Sequence, residues 1–168
     1  MNQVLFNQEI IQRRVQELGR TISSDYSGKE IYVLVILKGA IIFASDLIRT
    51  LTPKVYIEFM KVSSYDGKNS TGQIKIEQDV DCNIHGKNVL IVEDIVDTGK
   101  TLNRLLEILK NRKPASIEIC SFLDKPERRE ALVDVKYVGF EIENKFVVGY
   151  GMDYCQLWRN SPDILIIE

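Results

Sequence analysis

Apolar residues recur at Ile10, Ile11, Val15, Leu18 and Ile22, and this three-to-four-residue spacing predicts an amphipathic helix over residues 8–26. Ile31–Leu37 is instead an unbroken apolar run, the mark of a strand covered on both faces. Lys38-Gly39 turns the chain, Ala40–Leu51 predicts a helix, and Val55–Val62 returns as a strand. Strand, helix and strand with short connections imply a parallel βαβ unit. Residues 63–73 are polar and glycine-bearing, with no periodicity, so they form a long loop of the kind that usually carries function. Ile74–Gln78 alternates like an exposed or edge strand. A second apolar run heads a strand at Asn88–Val92, followed by a helix at about 99–112 and a strand at Ser116–Leu123. Val135–Glu141 and Lys145–Tyr150 flank Glu143-Asn144, which predicts a hairpin. The whole pattern is α/β: a parallel sheet flanked by helices, with an appended small lobe. Ligands of such sheets sit beyond the carboxyl ends of the strands. Lys38-Gly39, Glu93-Asp94 and Asp124-Lys125 all lie at such ends.

Composition narrows the classes of function. The 168 residues are 45% hydrophobic, enough for one compact domain, residues 1–168, with a sizeable core. Basic and acidic residues number 22 and 24 and are interspersed, for a net charge of −2, which argues against a nucleic-acid binder. Cys82, Cys120 and Cys155 are scattered, without a CxxC pair, as expected of reduced thiols. The lone histidine, His85, sits in a turn sequence, so a His-dependent nucleophilic mechanism has little to stand on. No apolar signal segment opens the chain. The longest apolar stretch, Ile31–Ile48, is interrupted by Lys38-Gly39 and Asp46. A soluble, cytoplasmic protein without membrane contact is expected.

Candidate chemistry concentrates at residues 89–102, where Val89–Val92 runs into Glu93-Asp94 and then into Thr98-Gly99-Lys100-Thr101 at a helix start. Free backbone N–H groups and the positive end of the helix dipole suit a phosphate. Glu93, Asp94 and Asp97 would repel a bare phosphate, so they must meet something else on the same ligand, such as ribose hydroxyls or a magnesium ion. A sugar phosphate satisfies both demands. Gly99-Lys100-Thr101 also ends the P-loop motif, but that motif needs glycine at the position of Asp94.

This segment resembles the signature of the type I phosphoribosyltransferases: an apolar strand, two acidic residues, two apolar residues, then Asp-Thr-Gly. The resemblance implies the fold of that family, a parallel sheet core flanked by helices with a small hood lobe and a flexible lid loop. It also implies that Glu93 and Asp94 hold the ribose hydroxyls of phosphoribosyl pyrophosphate and that Asp97, Thr98, Gly99, Lys100 and Thr101 bind its 5-phosphate. The placement of Leu37-Lys38-Gly39 matches the pyrophosphate loop of the hypoxanthine-guanine branch, in which the Leu-Lys peptide can be cis. Ser64-Tyr65 matches the pair heading that branch's lid loop. By the same resemblance Lys125 donates to the 6-oxo group of a purine, Phe146 stacks on the base and Val147 offers backbone groups to its edge. Asp153 holds a second magnesium beside the base site, and Arg159 contacts pyrophosphate. Glu93, Asp94 and Asp153 are thus the expected metal residues.

The activity so implied joins hypoxanthine or guanine to the ribose of phosphoribosyl pyrophosphate, with Mg2+ as cofactor and Asp97 as the catalytic proton acceptor at the purine N7. A homodimer or homotetramer is the family expectation. Xanthine/guanine or pyrimidine specificity stays open as an alternative, as does a nucleotide-sensing RNA-binding regulator on the same fold. Guanine against hypoxanthine is not decided by the residues, because backbone carbonyls would read the 2-amino group.

Overall fold

The computed structural model describes residues 3–64 and 74–167. In chain order the elements are β1 (Gln3–Phe6), α1 (Gln8–Asp25), β2 (Glu30–Leu37), α2 (Ile41–Ile48), β3 (Lys54–Ser64), β4 (Ile74–Gln78), β5 (Asn88–Val96), α3 (Lys100–Lys110), β6 (Ser116–Asp124), a 3-10 turn (Pro126–Arg128), β7 (Tyr137–Glu141), β8 (Val147–Val148) and β9 (Ile164–Ile166). Strands β4-β3-β2-β5-β6-β7 form one sheet and β1-β9-β8 a smaller one. In the larger sheet β2 runs parallel to both β3 and β5, and β5, β6 and β7 continue parallel; only the edge strand β4 is antiparallel.

The unbroken apolar runs have a direct packing reason. Alternate residues of β2 face opposite layers: Val33 and Val35 pack with α1 and α2, whereas Leu34 and Ile36 pack with Leu102, Leu105 and Leu109 of α3. Strand β5 divides likewise, Leu90 and Val92 to one layer and Val89 and Ile91 to the other. With both faces covered, neither strand has room for a polar alternate. In the first layer Phe122 lies between Phe43 (ring centroids 4.8 Å apart), Tyr150 (5.0 Å) and the edge of Phe140 (5.6 Å). Helix α1 starts where the Asn7 side chain accepts from Ile10 N at 3.0 Å.

Four sequence expectations are corrected. Ser63 and Ser64, expected to open the long loop, extend β3, because Lys75 and Ile74 of β4 pair with them. The acidic strand does not stop at Val92. It continues to Val96, because β6 lies alongside and pairs Glu93 with Ser121 and Ile95 with Leu123. The hairpin about Glu143-Asn144 does not form: β7 joins β6 in the large sheet, and Val147 and Val148 pair with Ile166 and Leu165 of β9. The helix expected over Ala40–Leu51 spans only Ile41–Ile48. No described helix is long and apolar enough to cross a membrane.

The strand order sets the position of the site. Strand β2 connects outward to β3, and the chain then returns on the other side of β2 as β5. The order reverses between β2 and β5, and a crevice opens at their carboxyl ends.

Candidate active site

A cavity of about 370 Å³ occupies that crevice, lined by Lys38 and Gly39 after β2, by Glu93, Asp94 and Asp97–Gly99 on and after β5, by Thr101, and by Asp153 and Arg159 from the segment between β8 and β9. Sequence reasoning had placed every one of these in the site. The Leu37-Lys38 peptide is cis, as the resemblance allowed.

Each wall has a local cause. Gly39 is pressed against Asp94: a Cβ there would meet Asp94 Oδ2 at 1.7 Å, so any side chain would have to displace the loop or that carboxylate. Gly99 is the N-cap of α3 in the left-handed region, φ 77°, and supplies no side-chain cap; the first helical amide, Lys100 N, makes only a long 3.5 Å contact with Thr98 Oγ1. Thr98 holds the turn from behind, its carbonyl accepting from Glu130 N at 2.9 Å and Ala131 N at 3.1 Å.

Electrostatics divide the cavity. Burial at the sheet end pushes Glu93 well above the usual carboxylate range, and the neighbouring Asp94 charge adds to the rise. Burial likewise lifts Asp94 to about 6, against the pull of the Ile95 N–H at 2.9 Å and of Arg159. Two adjacent carboxylates short of countercharge invite hydroxyl donors or a cation. Across the crevice, Arg159 pairs with Asp153 at 2.7 Å and donates to Gly151 O at 2.8 Å. Asp153 also accepts from Gln156 N at 2.8 Å. Lys38 Nζ reaches Gln156 Oε1 at 3.4 Å.

The base-side residues stand beside the cavity rather than in its wall. Lys125, buried at the end of β6, lies 3.9 Å from Asp97, which also takes a 3.1 Å contact from Arg128 Nε. Asp97 therefore links the turn at the start of α3 to Lys125 and Arg128 after β6. Val147 is buried in β8, and half-exposed Phe146 meets Tyr154 edge-on at 5.7 Å. Lys100 belongs to the turn, but its side chain leaves to pair with Glu130. Glu93, Asp94 and Asp153 all line the cavity; among the described residues no three carboxylate, thiol or imidazole groups converge to hold a metal. Tyr65 lies outside the described residues, and Ser64 ends β3 with only its backbone described. Sequence reasoning missed Arg128 and Gln156. Arg128 sat in a basic turn that reads as solvated, and Gln156 carried no signal at all.

The chain matches the phosphoribosyl transferase domain over residues 2–155. It belongs to the phosphoribosyl transferase family. A Staphylococcus aureus relative named hypoxanthine-guanine phosphoribosyltransferase is 47% identical over 165 residues, covering 98% of this chain and 92% of the relative. An Aquifex aeolicus relative of the same name is 47% identical over 167 residues, covering 98% and 94%. The crystal structure of a hypoxanthine-guanine phosphoribosyltransferase from Bacillus anthracis superposes with a TM-score of 0.96 at 43% identity, covering 99% of this chain and 98% of that one. Membership of this family accounts for a crevice that sets a helix N-terminus beside an acidic pair.

Proposed function

We propose that this phosphoribosyl transferase salvages 6-oxopurines, joining hypoxanthine or guanine to the ribose of phosphoribosyl pyrophosphate and releasing pyrophosphate. The observation that carries the reading is Asp97, a carboxylate shared between the phosphate turn and the buried Lys125. The N-terminal amides of α3, with Thr98 and Thr101, take the 5-phosphate. Glu93 and Asp94 accept from the ribose hydroxyls, and the Asp94 charge, present at neutral pH, favours a cationic ribose as the bond to pyrophosphate lengthens. Lys38, Gly39 and Arg159 receive the departing pyrophosphate. On the other side Phe146 stacks on the purine, Val147 presents backbone groups to its edge, and Lys125 donates to its 6-oxo oxygen. Asp97 accepts the N7 proton as the glycosidic bond forms.

The carboxylate oxygens suit a hard cation such as magnesium, and the raised Glu93 and Asp94 are groups short of positive charge. With no protein cluster able to hold the ion alone among the described residues, Glu93 and Asp94 or Asp153 would each contribute an oxygen and substrate oxygens and water would complete the shell. When bound, the ion neutralises pyrophosphate charge. The enzyme works in the cytoplasm on these small molecules, as a homodimer or homotetramer.

The test is direct: incubate the protein with phosphoribosyl pyrophosphate, magnesium and each nucleobase in turn, and follow nucleotide formation. IMP and GMP from hypoxanthine and guanine are expected. Product from uracil or adenine alone would overturn the reading.

A further inference from the structure

One buried ion pair lies outside the groups given roles above. Asp124, the last residue of β6, is 8% exposed, and its carboxylate takes the guanidinium of Arg129. Between the two, Lys125–Arg128 makes a single tight turn, closed by Arg128 N on Lys125 O at 3.0 Å and Arg129 N on Pro126 O at 3.2 Å. The pair therefore staples a loop whose first residue, Lys125, and fourth, Arg128, both reach Asp97.

Arg129 also touches the opposite turn. A Cβ on Gly99 would lie 3.0 Å from Arg129 Cδ and 3.1 Å from its Nη1, so the guanidinium stem runs directly beneath the N-cap of α3. Nη1 is buried there without a hydrogen-bond partner. Immediately after Arg129, the amides of Glu130 and Ala131 both close on Thr98 O, and before it Lys125 N closes on Val96 O at 2.9 Å. Taking an ion pair out of water costs stability unless its geometry is well satisfied, and an unpartnered N–H group adds to that cost. A plain surface turn would have no use for it. What this wedge fixes is the separation between the end of β6 and the start of α3.

We propose that Arg129, held by Asp124, is a positioning residue that sets the distance between Lys125 and the Asp97–Thr101 turn, and so the grip on a ligand that must be held at its base and its 5-phosphate at once. The inference rests on the 6-oxopurine reading. Such a ligand is a purine nucleoside monophosphate. Pyrophosphate, held by Lys38 and Arg159 across the crevice, does not use this distance.

The experiment compares calorimetric binding of IMP and of magnesium pyrophosphate to the unmodified protein, Asp124→Asn and Arg129→Lys, both variants nearly volume-conserving. IMP affinity should fall about tenfold or more in each, with pyrophosphate affinity within about twofold of the unmodified protein. Equal weakening of both ligands marks general loosening and overturns the proposal, as does IMP binding within about twofold in variants of unchanged melting temperature. If one variant is insoluble the other carries the test; loss of fold in both assigns the pair to structure alone and overturns it too. An unmodified protein that fails to bind IMP would overturn the base assignment instead, so the two failures are distinguishable.

Discussion

Gly39 and Asp94 touch across the crevice so closely that the loop after β2 and the acidic end of β5 are a single mechanical unit; an added methyl would sit 1.7 Å from Asp94 Oδ2. Gly39→Ala must displace either the Lys38-Gly39 peptide or the Asp94 carboxylate. Efficiency with phosphoribosyl pyrophosphate should fall about 10²-fold, since misplacements near 1 Å have that cost. Steady-state kinetics with a parallel melting curve checks this; full activity would show that the contact relaxes freely.

Asp97 carries the proton-transfer prediction. Asp97→Asn keeps the shape and removes the acceptor, so turnover should drop about 10²–10⁴-fold with little change in substrate affinity. A turnover within a few-fold of the unmodified enzyme would remove Asp97 from that role. Arg128, 3.1 Å away, supplies an internal comparison: Arg128→Met should mainly alter affinity.

On the proposed function, base choice rests on buried Lys125. Ammonium can only donate and a 6-oxo oxygen can only accept, whereas adenine offers an amino group at that point. Mismatches of this kind can be worth about 10⁴-fold in specificity. Lys125→Met keeps much of the stem's packing and should narrow the advantage of hypoxanthine over adenine. Competing-substrate assays decide it; comparable efficiencies for adenine and hypoxanthine in the unmodified protein would contradict both the role and the purine preference.

The acidic pair predicts a pH-dependent stability. Asp94 is lifted by burial to about 6, above the unfolded value near 3.9. The folded state therefore holds a proton more tightly, a stabilisation complete below about pH 4 and lost as the pH rises to about 6. In ligand-free, metal-free buffer Asp94→Asn should be more stable than the unmodified protein at pH 7.5, by on the order of 1–2 kcal/mol, with the gain vanishing near pH 4. Urea unfolding at the two pH values measures it. An equal gain at both would mean that ionisation is not its source.

Much of this arrangement was legible in the chain, because some signals are local. A strand covered on both faces has to be apolar throughout, so Ile31–Leu37 and Val89–Val92 announce the centre of the sheet. The turn Thr98–Thr101 needs small residues, and the pattern around it resembled a known signature. Pairing partners are not local. Two apolar runs about Glu143-Asn144 look like a hairpin, yet each finds a different strand. β1 and β9 span only Gln3–Phe6 and Ile164–Ile166 and exist because they meet each other and β8. In the site, Lys38, Glu93, Asp94, Asp97, Asp153 and Arg159 were nameable from spacing and resemblance. Arg128 reaches Asp97 only through the turn at Pro126–Arg128, and Asp124–Arg129 closes only once that turn exists.

The small sheet has a bearing on how the molecule is made. Val147 and Val148 of β8 hydrogen-bond to β9, which in turn pairs with Gln3–Phe6. During synthesis the central sheet, through Glu141, can be assembled from chain already released by the ribosome. The strand carrying Val147 has no neighbour until Ile164–Ile166 has emerged and met a segment made more than 150 residues earlier, Gln3 pairing with Ile166. A nascent chain halted between these points would have the Asp97–Thr101 turn but not the small sheet.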